Sequence, residues 1–198
     1  MEEQEEQIKK TKMEKIPSIA KELLVYAAII VICVFLIPNY VMAKNVINGE
    51  SMENSLYDEE QVLTEMISYR FGEPKRFDII VFYHFFDSEN PNKSDKDAYE
   101  FYVKRIIGLP GERVRIEGDT IYINGEPLEE HYGKDPISDS GRANKEITLG
   151  EDEYFVLGDN REVSLDSRSS GVGNVKRDWI LGKVCARVYP FNKIGCVK

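Results

Sequence analysis

Leu23 to Ala43 (LLVYAAIIVICVFLIPNYVMA) runs for 21 residues without a charged side chain. As a helix rising about 1.5 Å per residue it is about 31 Å long, the depth of a bilayer's ~30 Å hydrocarbon core. It is read as a transmembrane anchor. Lys9, Lys10, Lys12, Lys15 and Lys21 precede it, and positive charge beside a first span favours a cytoplasmic N-terminus, which sends the rest of the chain outside. Tyr40 suits the outer interface, where amphipathic rings collect. The competing reading is a cleaved secretory signal, with Pro38 as helix breaker and Val41-Met42-Ala43 as a small-residue cleavage site. Against it, the apolar stretch exceeds the ~7–15 residues of a signal core and the polar lead-in is long. The chain therefore divides into a cytoplasmic tail (1–22), an anchor (23–43) and an extracytoplasmic domain (44–198).

That domain has 155 residues, enough to bury about 70% of its unfolded surface in one core. Its patterning is that of strands. Phe77 to Phe82 (FDIIVF) is a short apolar run. Arg113 to Ile123 (RVRIEGDTIYI) alternates on both sides of a Gly118-Asp119 turn, and Asn124-Gly125 marks another tight turn. Val62–Ile67, Tyr99–Ile107, Tyr154–Leu157 and Ile180–Tyr189 are dense in β-branched and aromatic residues. No long amphipathic helical pattern follows the anchor, so the expected class is mainly β, an antiparallel sheet fold behind one transmembrane helix. Two polar, turn-rich stretches, 87–97 and 131–145, are expected to be exposed loops.

Composition narrows the chemistry. With 26 Lys+Arg against 35 Asp+Glu and a net charge of −9, the chain lacks the basic field that neutralises phosphates, so no nucleic-acid partner is expected. Three cysteines and two histidines do not make a zinc site of ordinary spacing, and no metal or organic cofactor is expected. Cys33 reads as an apolar anchor residue; Cys185 and Cys196 read as free thiols, since spacing does not fix a disulfide's geometry. His84, beside an aromatic run, and His131, in a polar loop, read as packed and solvated residues.

Three turn-flanked places offer reactive groups: Gly49-Glu50-Ser51-Met52, Val103-Lys104-Arg105, and Gly158-Asp159-Asn160-Arg161 through Arg168. Taken singly, each has an ordinary structural explanation. Ser51 reads equally as a helix cap, Lys104 as an outward residue of a half-buried strand, and the GDNR stretch as a tight turn bonded to its own backbone.

Together and in this order, the stretches resemble the bacterial type I signal peptidases, membrane-anchored proteases with a Ser/Lys dyad, in their Gram-positive form. A serine-methionine pair, Ser51-Met52, follows the anchor in INGESMENSLYDEE. RFDIIVF (76–82) matches the apolar strand motif, YVKRIIGLPGE (102–112) the lysine motif, and GDNREVSLDSR (158–168) the last motif. The resemblance runs from the anchor to near Ile194. It implies that Ser51 is the nucleophile, Lys104 the general base and Ser164 the group that orients the lysine amine. Asp166 and Arg168 would be a supporting ion pair, with Asp159 and Asn160 supporting the same loop. Eukaryotic relatives use histidine where Lys104 stands, so the sequence sides with the lysine-dependent branch.

The dyad demands a specific environment. A lysine can take a serine's proton only when neutral, and its ordinary pKa near 10.4 forbids that at pH 7, so burial has to lower it. A drop of about three pH units corresponds to roughly 4 kcal/mol. Substrate recognition would follow from an extended pre-protein segment adding to a strand edge, with small residues at −1 and −3 of the cut. Ile47, Gly49, Met52, Leu56, Tyr102 and Val103 are the residues placed to line those pockets. The resemblance implies signal-peptide-bearing pre-proteins as substrates, the lipid bilayer as surroundings and the secretion translocon as a neighbour.

There are departures. After Ser51-Met52 the family usually reads x-Pro-Thr, and here Glu53-Asn54-Ser55 stands instead; losing the proline is expected to loosen the turn. Gly49 stands where some members carry a second oxyanion donor, so the second donor is unassigned. The alternatives are a weak or inactive membrane-anchored paralogue that binds secreted chains, and a processing peptidase of narrow specificity.

Overall fold

The computed structural model describes residues 19–197. Most of the polar tail, with Lys9, Lys10, Lys12 and Lys15, lies outside the described residues. The chain forms two compact units that divide between Val41 and Met42. The first holds helix α1 (19–31), which continues as π-helix over Ile32–Val41. Ile19–Ile37 is long and apolar enough to cross a membrane, and its described side chains are exposed throughout. Pro38 does not end the helical run. A proline lacks the N–H for a regular ladder, and the wider π turns carry the chain to Val41. Met42 and Ala43, placed by sequence at the end of the anchor, already pair with Glu65 and Thr64 as sheet residues.

The second unit is built of antiparallel strands: β1 (Met42–Val46), β2 (Gln61–Glu65), β3 (Ile79–Phe85), β4 (Tyr99–Gly108), β5 (Arg113–Glu117), β6 (Thr120–Ile123), β7 (Glu126–Pro127), β8 (Ile147–Thr148), β9 (Glu153–Leu157), β10 (Val175–Lys176), β11 (Ile180–Tyr189) and β12 (Gly195–Cys196). The larger sheet has the order β1-β2-β11-β3-β4-β9-β10, with β12 on β11; the smaller is β7-β6-β5-β8. The helix α2 (Ser68–Phe71) is one turn long. The expected strands all form, and the 113–123 hairpin turns at Gly118-Asp119. The 87–97 stretch is exposed. The 131–145 stretch is not uniformly so, because Ile137 and Ala143 are buried.

Period-two alternation explains how two strands serve three cores. In β3, Ile80 and Phe82 enter a cluster with Tyr154, Val156 and Trp179, while Ile79 and Val81 enter another with Ile47, Met52, Leu56 and Val62. In β9, Tyr154 and Val156 face the first cluster and Phe155 and Leu157 a third, against Val114 and Ile116 of the small sheet. Strands buried on both faces read as continuous apolar runs, which is why FDIIVF and YFVL look as they do.

The β4 strand does most to place the site. It pairs with β3 along its length, from Ile79↔Arg105 to Phe85↔Tyr99. With β9 it pairs only through Arg105, Ile106 and Gly108. Among the described residues, Tyr99–Lys104 therefore has a second edge without a strand on it.

Candidate active site

Ser51 sits on a chain of short turns between β1 and β2. The Gly49 N–H donates to Asp58 Oδ1 at 2.7 Å, and Gly49 has φ +89, which a residue with a Cβ adopts only with strain. The N–H of Glu53 then reaches the Glu50 carbonyl (3.0 Å), and those of Ser55 and Leu56 reach the Met52 carbonyl (3.1 and 2.8 Å). Met52 and Leu56, 1% and 0% exposed, pin the turns into the core.

Lys104 lies mid-strand in β4, on the face shared with Glu100 and Tyr102. Its Nζ is 2.8 Å from Ser51 Oγ and donates to the Val103 carbonyl at 3.0 Å. Burial lowers its pKa from 10.5 to about 8, against the opposing pull of Asp166, Asp159 and Glu100. Desolvation wins because Lys104 is only 4% exposed. At pH 7 about a tenth of the amine is then neutral, against well under a thousandth for a free lysine.

The third segment closes the site. The Asn160 N–H donates to the Ser51 carbonyl at 3.1 Å. Asp166 accepts from two of the three guanidinium nitrogens of Arg168 at 2.9 Å and from the Gly158 N–H at 3.1 Å; the pair is buried. Asp159 is bound not to this pair but to Arg105, through Nε (2.9 Å) and an η nitrogen (2.8 Å), with both side chains 0% exposed. Arg105 also donates to Ser55 Oγ and to the Phe77 carbonyl, each at 2.9 Å. Sequence reading places Arg105 in the lysine motif but gives it no role of its own, although alternation puts it on the face opposite Lys104, toward the loop that carries Asp159.

Two expectations need correction. Ser164 Oγ is buried with no hydrogen-bond partner among the described residues, so the expected bond to the Lys104 amine is not formed. The hydroxyl instead lies against Gly158, whose hypothetical Cβ would be 2.1 Å from it. Leu56 does not line the cleft; it is packed with Val62, Ile79 and Val81 beneath the turn.

The other expected pocket residues, Ile47, Gly49, Met52, Tyr102 and Val103, line a cavity of about 830 Å³ that also contains Ser51 and Lys104. Sequence reading missed Glu100, Asp58, Val163 and Leu165 on its walls. The period-two spacing from Lys104 was the available signal for Glu100. His84 stacks on Tyr102 at 4.4 Å, with its pKa lowered by burial. Cys185 and Cys196 are free thiols. Among the described residues no three His, Cys, Asp or Glu side chains gather as metal ligands do.

Known proteins share this arrangement of sequence. The chain is 34% identical over 187 residues to signal peptidase IB of Staphylococcus aureus strain Mu50, covering 87% of this chain and 91% of that one. It is 38% identical over 159 residues to signal peptidase I of Leptolyngbya laminosa, covering 80% and 74%. A crystal structure of a signal peptidase I from Enterococcus faecalis V583 superposes with a TM-score of 0.44 at 34% identity, over 57% of this chain and 97% of that one. The family described as signal peptidase, peptidase S26, matches residues 20–189, and the chain belongs to it.

Proposed function

We propose that this membrane-anchored peptidase removes signal peptides from exported pre-proteins after small-x-small sites, with Ser51 as nucleophile and Lys104 as general base. What carries the reading is the 2.8 Å separation of Ser51 Oγ and Lys104 Nζ, on a lysine that burial holds near pKa 8.

The chemistry follows from that pair. Neutral Lys104 takes the Ser51 proton as Oγ attacks the scissile carbonyl, and the resulting ammonium protonates the leaving amine as the C–N bond breaks. Lys104, neutral again, draws a proton from the water that hydrolyses the acyl-enzyme and returns Ser51 to its hydroxyl form. None of the backbone hydrogen bonds among the described residues uses the Ser51 N–H, which makes it available to the oxyanion. The Gly49 N–H is taken by Asp58 and is not the second donor.

The substrate pairs as an extended strand with the unpartnered edge of Tyr99–Lys104, which directs alternate side chains into the cavity. Ile47, Met52, Tyr102 and Val103 restrict the room there to small side chains. Asp166-Arg168, Asp159 and Asn160 hold the frame. The tail is cytoplasmic and the catalytic domain acts on the outer face of the cytoplasmic membrane, beside the translocon.

The test is digestion of a pre-protein carrying one small-x-small site by the detergent-solubilised full chain, with the cut located by mass spectrometry. A single cut after the site, lost in Ser51→Ala, supports the reading. Substrate binding without any cut would shift it to a scaffold.

A further inference from the structure

The beginning of the polar stretch after β7 does not stand away from the domain. Glu130–Lys134 touches all three segments that carry the site. The Lys134 N–H donates to the Asp159 carbonyl at 2.8 Å, and its ammonium meets Glu53 at 2.7 Å. The Asn54 side-chain amide donates to the Tyr132 carbonyl at 3.1 Å. The Tyr132 ring lies 3.7 Å from the guanidinium carbon of Arg105, and Glu130 pairs at 2.8 Å with Arg161, whose Nε–H holds the Gly158 carbonyl at 2.9 Å. None of these five residues lines the cavity beside Ser51, so they support the frame without touching substrate.

Asn54 is the telling contact. It has φ +99, and the Ser55 N–H bonds the Met52 carbonyl across it. The third residue of such a turn needs a positive φ, which asparagine and glycine adopt and which proline, locked near −65°, cannot reach. Yet proline is the residue usual here in the family that this sequence resembles. The turn carrying the nucleophile has thus taken a shape closed to proline, and the new side chain is fastened to a neighbouring loop.

We propose that Glu130–Lys134 is a positioning strap for the nucleophile, holding the Met52–Ser55 turn through Asn54 and Glu53 and so keeping Ser51 against Lys104 in place of the ring constraint. Tyr132 and Lys134 are positioning residues, because they act through Asn54, Glu53 and Arg105. This rests on Ser51 and Lys104 being the dyad.

The experiment compares the full-length chain with Asn54→Gly, which keeps the positive φ and drops the amide bond; Asn54→Pro, which imposes the relatives' residue; and Tyr132→Ala against Tyr132→Phe. Cleavage of the small-x-small pre-protein gives kcat and KM, and amide hydrogen exchange reports on Ser51–Leu56. A strap predicts kcat lower by roughly tenfold in Asn54→Gly, Asn54→Pro and Tyr132→Ala with KM within about twofold, since small misplacement of reacting atoms is expressed in kcat. Tyr132→Phe returns kcat to near wild type, and exchange at Ser51–Leu56 quickens in Asn54→Gly while the rest of the domain is unchanged. Wild-type kcat in Asn54→Gly and Tyr132→Ala, or KM rising in step with the loss, overturns the strap. Ser51→Ala runs alongside. If it abolishes cleavage while the strap variants behave as wild type, the strap alone fails. If cleavage survives it, the dyad reading fails and the exchange rates decide the strap, unchanged rates refuting it.

Discussion

Replacing Gly158 by alanine is expected to disable the enzyme without unfolding it. A Cβ built there lies 2.4 Å from the Ser51 carbonyl oxygen, 2.1 Å from Ser164 Oγ and 2.5 Å from Ser164 Cβ. The Ser164 hydroxyl can rotate away, but its Cβ and the Ser51 carbonyl cannot. Real Cβ atoms keep at least 3.0 Å from such neighbours, so the Ser51 carbonyl has to retreat by roughly 0.6 Å or more. That carbonyl also accepts the Asn160 N–H at 3.1 Å, and moving it carries Ser51 Oγ off the Lys104 amine. Misplacement of this order costs about 10²-fold in rate, while overpacking costs about 1–3 kcal/mol of stability. The assay is single-site pre-protein cleavage at saturating substrate, with thermal unfolding of the same preparations. A kcat near 1% of wild type with the melting temperature lowered by several degrees is the expected result. A kcat within twofold of wild type would refute the claim that Gly158 is needed for this close approach.

Other perturbations test the electrostatics. Lys104 has a folded pKa of about 8, below its ordinary 10.5, so beneath pH 8 the folded state holds an ammonium that burial disfavours by about 3 kcal/mol. That cost fades as pH rises from 8 to 10.5. Lys104→Met should therefore unfold at higher denaturant than wild type at pH 6, with the gap closing by pH 10.5; equal stability at pH 6 would contradict the burial argument. Asp159→Ala leaves the fully buried Arg105 without its carboxylate, and should lose about 3–5 kcal/mol in denaturant unfolding. A loss under about 1 kcal/mol would mean that the pair is solvated.

Much of the fold was legible because strand patterning and burial coincide. FDIIVF and YFVL are continuous apolar runs, and both strands prove buried on two faces. β11 spans Ile180–Tyr189 as read from sequence. β1, with the sequence MAKNV, was hidden because it carries no alternation of its own and is fixed by pairing with β2. Ser51 and Lys104 were singled out by motif order, and the fold brings their side chains to within 2.8 Å of each other. Leu56 was misplaced because spacing along a tight turn does not say which side faces the core. The contacts of Asn54 with Tyr132 and of Arg105 with Asp159 join residues 78 and 54 positions apart, and no local pattern reports such pairs. Ser164 was named for a hydrogen bond that its orientation over Gly158 does not make.

The most direct measurement is the pH dependence of kcat/KM for pre-protein cleavage by wild type, Ser51→Ala and Lys104→Ala between pH 6 and 10. Wild-type activity should rise with pH as Lys104 loses its proton, bend near pH 8 and level off above it, with both variants reduced to background throughout. A wild-type profile that is flat across this range, or site-specific cleavage surviving in either variant, would contradict a buried lysine acting as the base for Ser51.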